Sequence, residues 1–270
     1  MKQAILPVVT FGLFAMVVAD RLSHALASQS RVPVVQGPSE ARPATAALDG
    51  AGEMETSADA STTPPATGST PTIERLARLA ARQQLSREAG ATYLDSLIVS
   101  TDSLVRRWPD RGAAPLRVSL VEGGPEGYRP QMADFVRDAL DQWETAGIGV
   151  RFSPISDSSE ADIVVRWIDR FDFDRAGQTD LTWDQAGRVR KASISLALRT
   201  HVGFTLPEAA LITVALHETG HALGLPHSAD SNDVMFPAAR TDKLSERDRR
   251  TAQVLYQLPP GPVRDPVDYP

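Results

Sequence analysis

Three of the five histidines, His217, His221 and His227, fall within eleven residues, and Glu218 directly follows the first of them. Positions four apart on an α-helix differ by about 40° around its axis, so the imidazoles of His217 and His221 share a face and can grip one ion. Glu218 lies beside that face, where a carboxylate suits the role of base on a metal-activated water. Gly224 lets the chain leave the helix through a left-handed conformation, which allows His227 to swing back as a third ligand. Chance alone would give H-E-x-x-H-x-x-G-x-x-H in a chain of this composition on the order of five times in a million. Two plainer readings compete: core histidines satisfied by hydrogen bonds, or a purely structural metal. Structural zinc sites normally close with a fourth protein ligand, and the chain has no cysteine to close one. Three neutral nitrogens leave a position for water, the open arrangement of a catalytic zinc site.

The elements that must position these residues are legible from periodicity. Thr205-Leu206-Pro207-Glu208 reads as a capping box, and the helix after it is apolar nearly all round through Ala209, Leu211, Ile212, Val214, Ala215 and Leu216, hence buried. Met132, Phe135, Val136, Ala139, Leu140 and Trp143 form the stripe of an amphipathic helix. Leu116 to Val121, Ile148 to Phe152, Ala161 to Trp167 and Ala192 to Leu198 read as strands. That order predicts an α+β fold, an α/β-type mixed sheet packed by helices.

Upstream, residues 1–27 read as a signal peptide or N-terminal membrane anchor, with Lys2 before the uncharged run Ala4 to Ala19 and a cleavage pattern at Ala25-Leu26-Ala27. Residues 4–19 are thus a candidate membrane tether, and the remainder is expected to be secreted or held at the cell envelope. Residues 28–71, rich in Ala, Ser, Thr and Pro, read as a disordered linker. Residues 72–112 read as two helices separated by Gly90, with Ile73, Leu76, Leu79 and Ala80 as one apolar face and the second helix running to Trp108. This segment reads as a pro-segment, a spacer or part of the domain wall, and the sequence does not decide among them. A catalytic domain is expected over 113–258 and a Pro-rich tail over 259–270. With 42% hydrophobic and 23% charged residues the chain can build a core, and a net charge of -6 gives no electrostatic reason to bind nucleic acid.

The run His217 to Ser228, together with Met235 in Asp233-Val234-Met235-Phe236-Pro237, resembles the zinc signature and Met-turn of the metzincin metallopeptidases, with Ser228 the matrixin-type residue. Leu244 to Asp248 with Val254-Leu255-Tyr256 is similar to the closing helix of matrixin domains, and the resemblance spans about Pro115 to Leu258. It implies a metzincin-like fold, one catalytic zinc held by His217, His221 and His227, and Glu218 as general base. It also implies Met235 as the floor of the site, and an extended polypeptide substrate lying on an edge strand within Ala176 to Trp183. Thr213, Pro237 and Ala239 are the candidate substrate-pocket residues; Ala239 stands where relatives carry Tyr, which implies a roomy pocket.

This chain also departs from the family. Without cysteine it cannot be kept latent by a thiolate on the zinc, and His201 and His24 are too few for a second zinc. Asp169, Asp172, Asp174, Asp180 and Asp184 are candidates for a calcium ion, although an acidic loop is more often merely solvated. The function expected is therefore that of a zinc metalloendopeptidase. The alternative is a non-catalytic metal-binding or adhesion module, against which the presence of Glu218 counts.

Overall fold

The stripe of Met132, Phe135, Val136, Ala139, Leu140 and Trp143 is buried along one side of a helix, Met132–Glu144, as its spacing predicts. The computed structural model describes residues 9–13, 72–95, 97, 103–112 and 114–264, and this helix is the second of the four whose bounds lie among the described residues. The elements are β1 (Val9–Leu13), α1 (Thr72–Arg87), β2 (Leu104–Val105), β3 (Leu116–Leu120), α2 (Met132–Glu144), β4 (Phe152–Pro154), β5 (Ile163–Ile168), β6 (Gly177–Trp183), β7 (Val189–Ala197), α3 (Glu208–Ala222), α4 (Glu246–Gln257) and β8 (Gly261–Pro262). Of the proposed leader, 1–27, only the extended residues 9–13 are described, and the linker 28–71 lies outside the described residues. Among the described residues no helix is long and apolar enough to cross a membrane.

A mixed sheet in the order β4-β3-β5-β7-β6 carries the domain, and β1 adds to its β6 edge. β5 pairs in parallel with both β3 and β7, which explains why its sequence is apolar almost without interruption. β6 turns antiparallel to β7. The fold is thus the mixed α+β sheet with packing helices that the sequence predicts. α3 lies against β6 and β7, with α2 packed beside it. Trp143 locks the two helices, fully buried and donating its indole N–H to the Leu216 carbonyl at 2.9 Å.

Several expectations need correction. The capping box predicted at Thr205 does not form: α3 starts at Glu208 with Pro207 as its N-cap, and Thr205 bridges Arg199 instead. Glu208 is then free to pair with Arg129 at 3.3 Å. A true capping box opens α4, between Ser245 and Asp248. The run Ile148 to Phe152 is strand only from Phe152, because Gly147 and Gly149 sit at φ +80° and +72°, outside extended geometry. Of the expected second helix, residues 95 and 97 are helical and 98–102 lie outside the described residues, while near its far end Leu104–Val105 form β2 instead, pairing antiparallel with β8. Val263 beyond β8 is buried, so the chain past 258 is partly drawn into the domain.

α1 forms as predicted but buries a different face. Ile73, Leu76 and Leu79 are 77%, 58% and 44% exposed, whereas Ala81 and Leu85 enter the core. The second half of α1 is held against α4 by Gln84 on Gln257 at 2.9 Å and by Glu88 on Arg250. Truncation of a packed leucine costs about 2–5 kcal/mol, while changes on exposed positions stay within about 0.5 kcal/mol. Urea unfolding should therefore show a large loss of stability for Leu85→Ala and almost none for Leu76→Ser.

Candidate metal centre

α3 holds a metal-type constellation because nearly all of it is buried: His217, Glu218 and His221 are each 0% exposed. The Nε2 atoms of His217 and His221 lie 3.0 Å apart, and those of His221 and His227 lie 3.2 Å apart. Gly224, at φ +98°, makes the turn that returns His227; a side chain there would also strike the Arg106 carbonyl, 2.1 Å from a Cβ. Among the described residues these three histidines are the group able to hold a metal ion.

The protonation pattern tests whether a cation fits. His217 Nδ1 lies 2.6 Å from the Val234 carbonyl and His221 Nδ1 lies 2.8 Å from the Leu225 carbonyl. A carbonyl only accepts, so each Nδ1 carries the hydrogen and each Nε2 is left with a bare lone pair. Burial pushes the His217 pKa down to about 3, against the pull of the Val234 hydrogen bond, and pushes His221 and His227 down as well. Lone pairs of neutral imidazoles 3.0–3.2 Å apart repel unless a cation sits among them. Tetrahedral zinc with bonds of about 2.0–2.1 Å would hold its nitrogens roughly 3.3 Å apart, so the donor set fits that ion.

Glu218 stands beside the histidines on the β6 side. Its Oε2 accepts a hydrogen bond from the Thr179 hydroxyl at 2.6 Å, while Oε1 is buried without a hydrogen-bond partner. Burial raises its pKa to about 8, opposed by the Thr179 bond and by the charge of Arg175. Its carboxylate crosses so close to β6 that a Cβ on Gly177 would lie 2.5 Å from Oε1. Thr179 and Gly177 are functional neighbours that the sequence reading missed; no motif marks them, and their signal lies in strand pairing.

Met235 is fully buried and packs against Gly220, the residue before His221. Its carbonyl accepts from the Ser228 N–H at 2.8 Å, which ties the loop after His227 to the turn at Met235. Two carboxylates brace that loop. Asp233 accepts from the hydroxyls of Ser228 (2.5 Å) and Ser245 (2.7 Å), and Asp248 accepts from the N–H groups of Val234 (2.8 Å) and Ser245 (2.9 Å).

Of the expected pocket residues, Thr213 is buried and gives its hydroxyl to the Ala209 carbonyl on its own helix. Pro237 and Ala239 lie half-buried in the loop beyond Met235. The calcium expectation finds no support: Asp169 pairs with Arg199 and Arg170, Asp174 with His201, and Asp184 with Arg188 and Arg190. Guanidinium groups there supply positive charge.

Residues 114–257 match the family model described as Matrixin, just over half of the 270-residue chain. The chain is also similar to matrix metalloproteinase-15 of Homo sapiens, 46% identical over 56 residues that cover 19% of this chain and 8% of that protein. The match thus spans a small part of the relative's length.

Gly220 offers a direct test of the packing next to His221. A methyl group there would stand 2.4 Å from Met235 Sδ and 2.9 Å from Trp143 Cζ2. Overpacking of this kind costs about 1–3 kcal/mol. Gly220→Ala should therefore lower the thermal midpoint and weaken metal retention in a chelator competition, and an unchanged variant would show that the packing of Met235 and Trp143 on Gly220 yields easily.

Proposed function

As the chain belongs to the matrixin family, we propose that it is a zinc-dependent endopeptidase, with His217, His221 and His227 holding the ion and Glu218 as general base. The observation that carries this reading is the unpartnered Glu218 Oε1, buried beside three converging imidazole lone pairs. A carboxylate oxygen desolvated without a partner costs about 1–3 kcal/mol or more, which is reasonable at a position reserved for a reacting water.

Bound at the three nitrogens, zinc supplies Lewis acidity that acidifies water and polarises a peptide carbonyl. The protein's own residues do the rest. Glu218 Oε1 would take the proton of the attacking water and pass it to the departing amine, one carboxylate serving as base and then as acid. Thr179 fixes the other carboxylate oxygen, so only Oε1 is available for transfer. Val234 and Leu225 hold the imidazoles in the tautomer that leaves Nε2 open.

Polypeptide substrate would lie extended along β6, adding main-chain hydrogen bonds to the sheet edge. The reading is supported by β1, which occupies that same edge as an antiparallel strand with Phe11 opposite Thr179. Both cannot use the edge together, so residues 9–13 must leave before substrate binds there. Loss of the leader 1–27 on export would achieve this, and the mature protein would act outside the cytoplasm, secreted or at the envelope. Thr213, Pro237 and Ala239 would line a roomy pocket for the residue following the cut bond.

A casein assay and a peptide-library digest test the proposal together. Glu218→Gln should keep its zinc and lose about 10²–10⁴-fold in kcat, the usual worth of a general base. Large apolar residues should be accepted after the cut, and cleavage restricted to Gly or Ala there would remove the roomy-pocket assignment. A zinc-loaded wild type that cuts nothing across the library would favour a metal-binding or adhesion module instead.

A further inference from the structure

The matrixin match begins at residue 114, yet the chain before it reaches into the core behind the histidines. Tyr93, 5% exposed, donates its hydroxyl to Asp248 Oδ1 at 3.0 Å. The other oxygen, Oδ2, accepts from the Val234 N–H at 2.8 Å, and the carbonyl of the same Val234 accepts from His217 Nδ1 at 2.6 Å. Hydrogen bonds to both sides of the Val234 Cα therefore connect Tyr93 and Asp248 with His217. Asp248 and Val234 are both fully buried, so water cannot replace a missing partner cheaply.

The same stretch of chain is fastened at further points. Trp108 donates its indole N–H to the Ala222 carbonyl at the end of α3 at 2.8 Å. Arg107 donates to the Leu258 carbonyl at 2.8 Å, and Arg106 passes so close to Gly224 that a Cβ there would meet its carbonyl at 2.1 Å. Leu85, Leu94 and Val105 are each 0% exposed. A removable pro-segment covers a site from outside, but these residues form part of the core behind it.

We propose that the segment containing α1, Tyr93 and Trp108 is a permanent part of the peptidase, and that Tyr93 is a positioning residue acting on His217 through Asp248 and Val234. The hydroxyl of Tyr93 fixes the Asp248 carboxylate, the carboxylate holds the Val234 N–H, and the Val234 carbonyl, on the next peptide group across the same Cα, sets the orientation of the first imidazole. Burial and the Asp248 charge both raise the Tyr93 pKa well above its ordinary value, so the phenol stays a donor. The proposal rests on the zinc-peptidase reading above only for its kinetic consequence; its effect on metal binding stands apart from it.

The test uses the full chain and Tyr93→Phe, which keeps the buried ring and removes only the hydroxyl. Zinc affinity, read by competition with a chromogenic chelator, should fall about three- to tenfold, less than the 10–100-fold typical of a direct partner of a metal ligand. Activity should fall in kcat with KM within about twofold, since the substrate edge is untouched. Gln84→Ala, which removes the Gln84 to Gln257 bond on the same interface, serves as the control and should leave both readouts unchanged. N-terminal sequencing of the mature, zinc-loaded protein should find a start before residue 93. Zinc affinity of Tyr93→Phe equal to wild type, an equal loss in Gln84→Ala, or a stable zinc-loaded species starting after Trp108 would each overturn the proposal. If the wild type cleaves no peptide but Tyr93→Phe still binds zinc more weakly, the peptidase reading fails and the positioning role stands.

Discussion

Three uncharged imidazoles brought together in a buried place, with their lone pairs facing one another, form the constraint around which the domain is arranged. In water such a cluster would protonate or drift apart. Here burial, complete at His217 and His221 and partial at His227, holds all three pKa values down, so protonation does not readily relieve the repulsion. A cation relieves it, and backbone carbonyls at Val234 and Leu225 make the arrangement stiff by claiming the Nδ1 hydrogens of two rings. Because the rings must stay within about a bond length of one point, the backbone around them has to come unusually near, and that requirement explains the glycines. Gly220 admits Met235 beside His221, Gly177 admits Glu218 against β6, and Gly224 admits the Arg106 carbonyl behind the turn.

Orientation of the rings depends in turn on a loop, 228–235, with no regular structure of its own. Loops hold shape only when their peptide groups find fixed partners. Asp233 and Asp248 provide them, each carboxylate collecting donors from this loop and from the start of α4. The capping box of α4 is thereby more than a helix start: Asp248 satisfies the Ser245 N–H with the same oxygen that holds Val234. Helix initiation and the placement of His217 share one carboxylate.

What could be read beforehand follows from range. The placement of His217 and His221 is a property of helical spacing, and the stripe of α2 is another, so both were legible. β6 alternates buried and half-buried residues along its whole length, yet its buried positions are Gly177, Thr179, Leu181 and Trp183. Two of these are small or polar because Glu218 lies against them, so the demands of the site erased the apolar alternation that marks a strand. The face of α1 was misread because periodicity reports that a stripe exists without saying what is available to cover it. The partners that decide it, Gln257 and Arg250, lie more than 150 residues away in sequence. Tyr93 and Asp248, separated by 155 positions, leave no local trace at all.

The boundary of the folding unit is therefore wider than the boundary of the family match. Tyr93, Leu85, Leu94, Val105 and Trp108 all lie before residue 114 and all belong to the one core. Burial of a large apolar side chain contributes roughly 1.5–3 kcal/mol before the entropy of ordering it is counted, so these five side chains are a substantial part of what holds the core together. At the other end, β8 pairs with β2 and Val263 is buried beside it, so the two flanks of the family match are stitched to each other. A chain that closes its flanks in this way gains from both at once. Removing either would expose the other, and the end of α3, which carries the histidines, would lose the Trp108 indole that holds the Ala222 carbonyl.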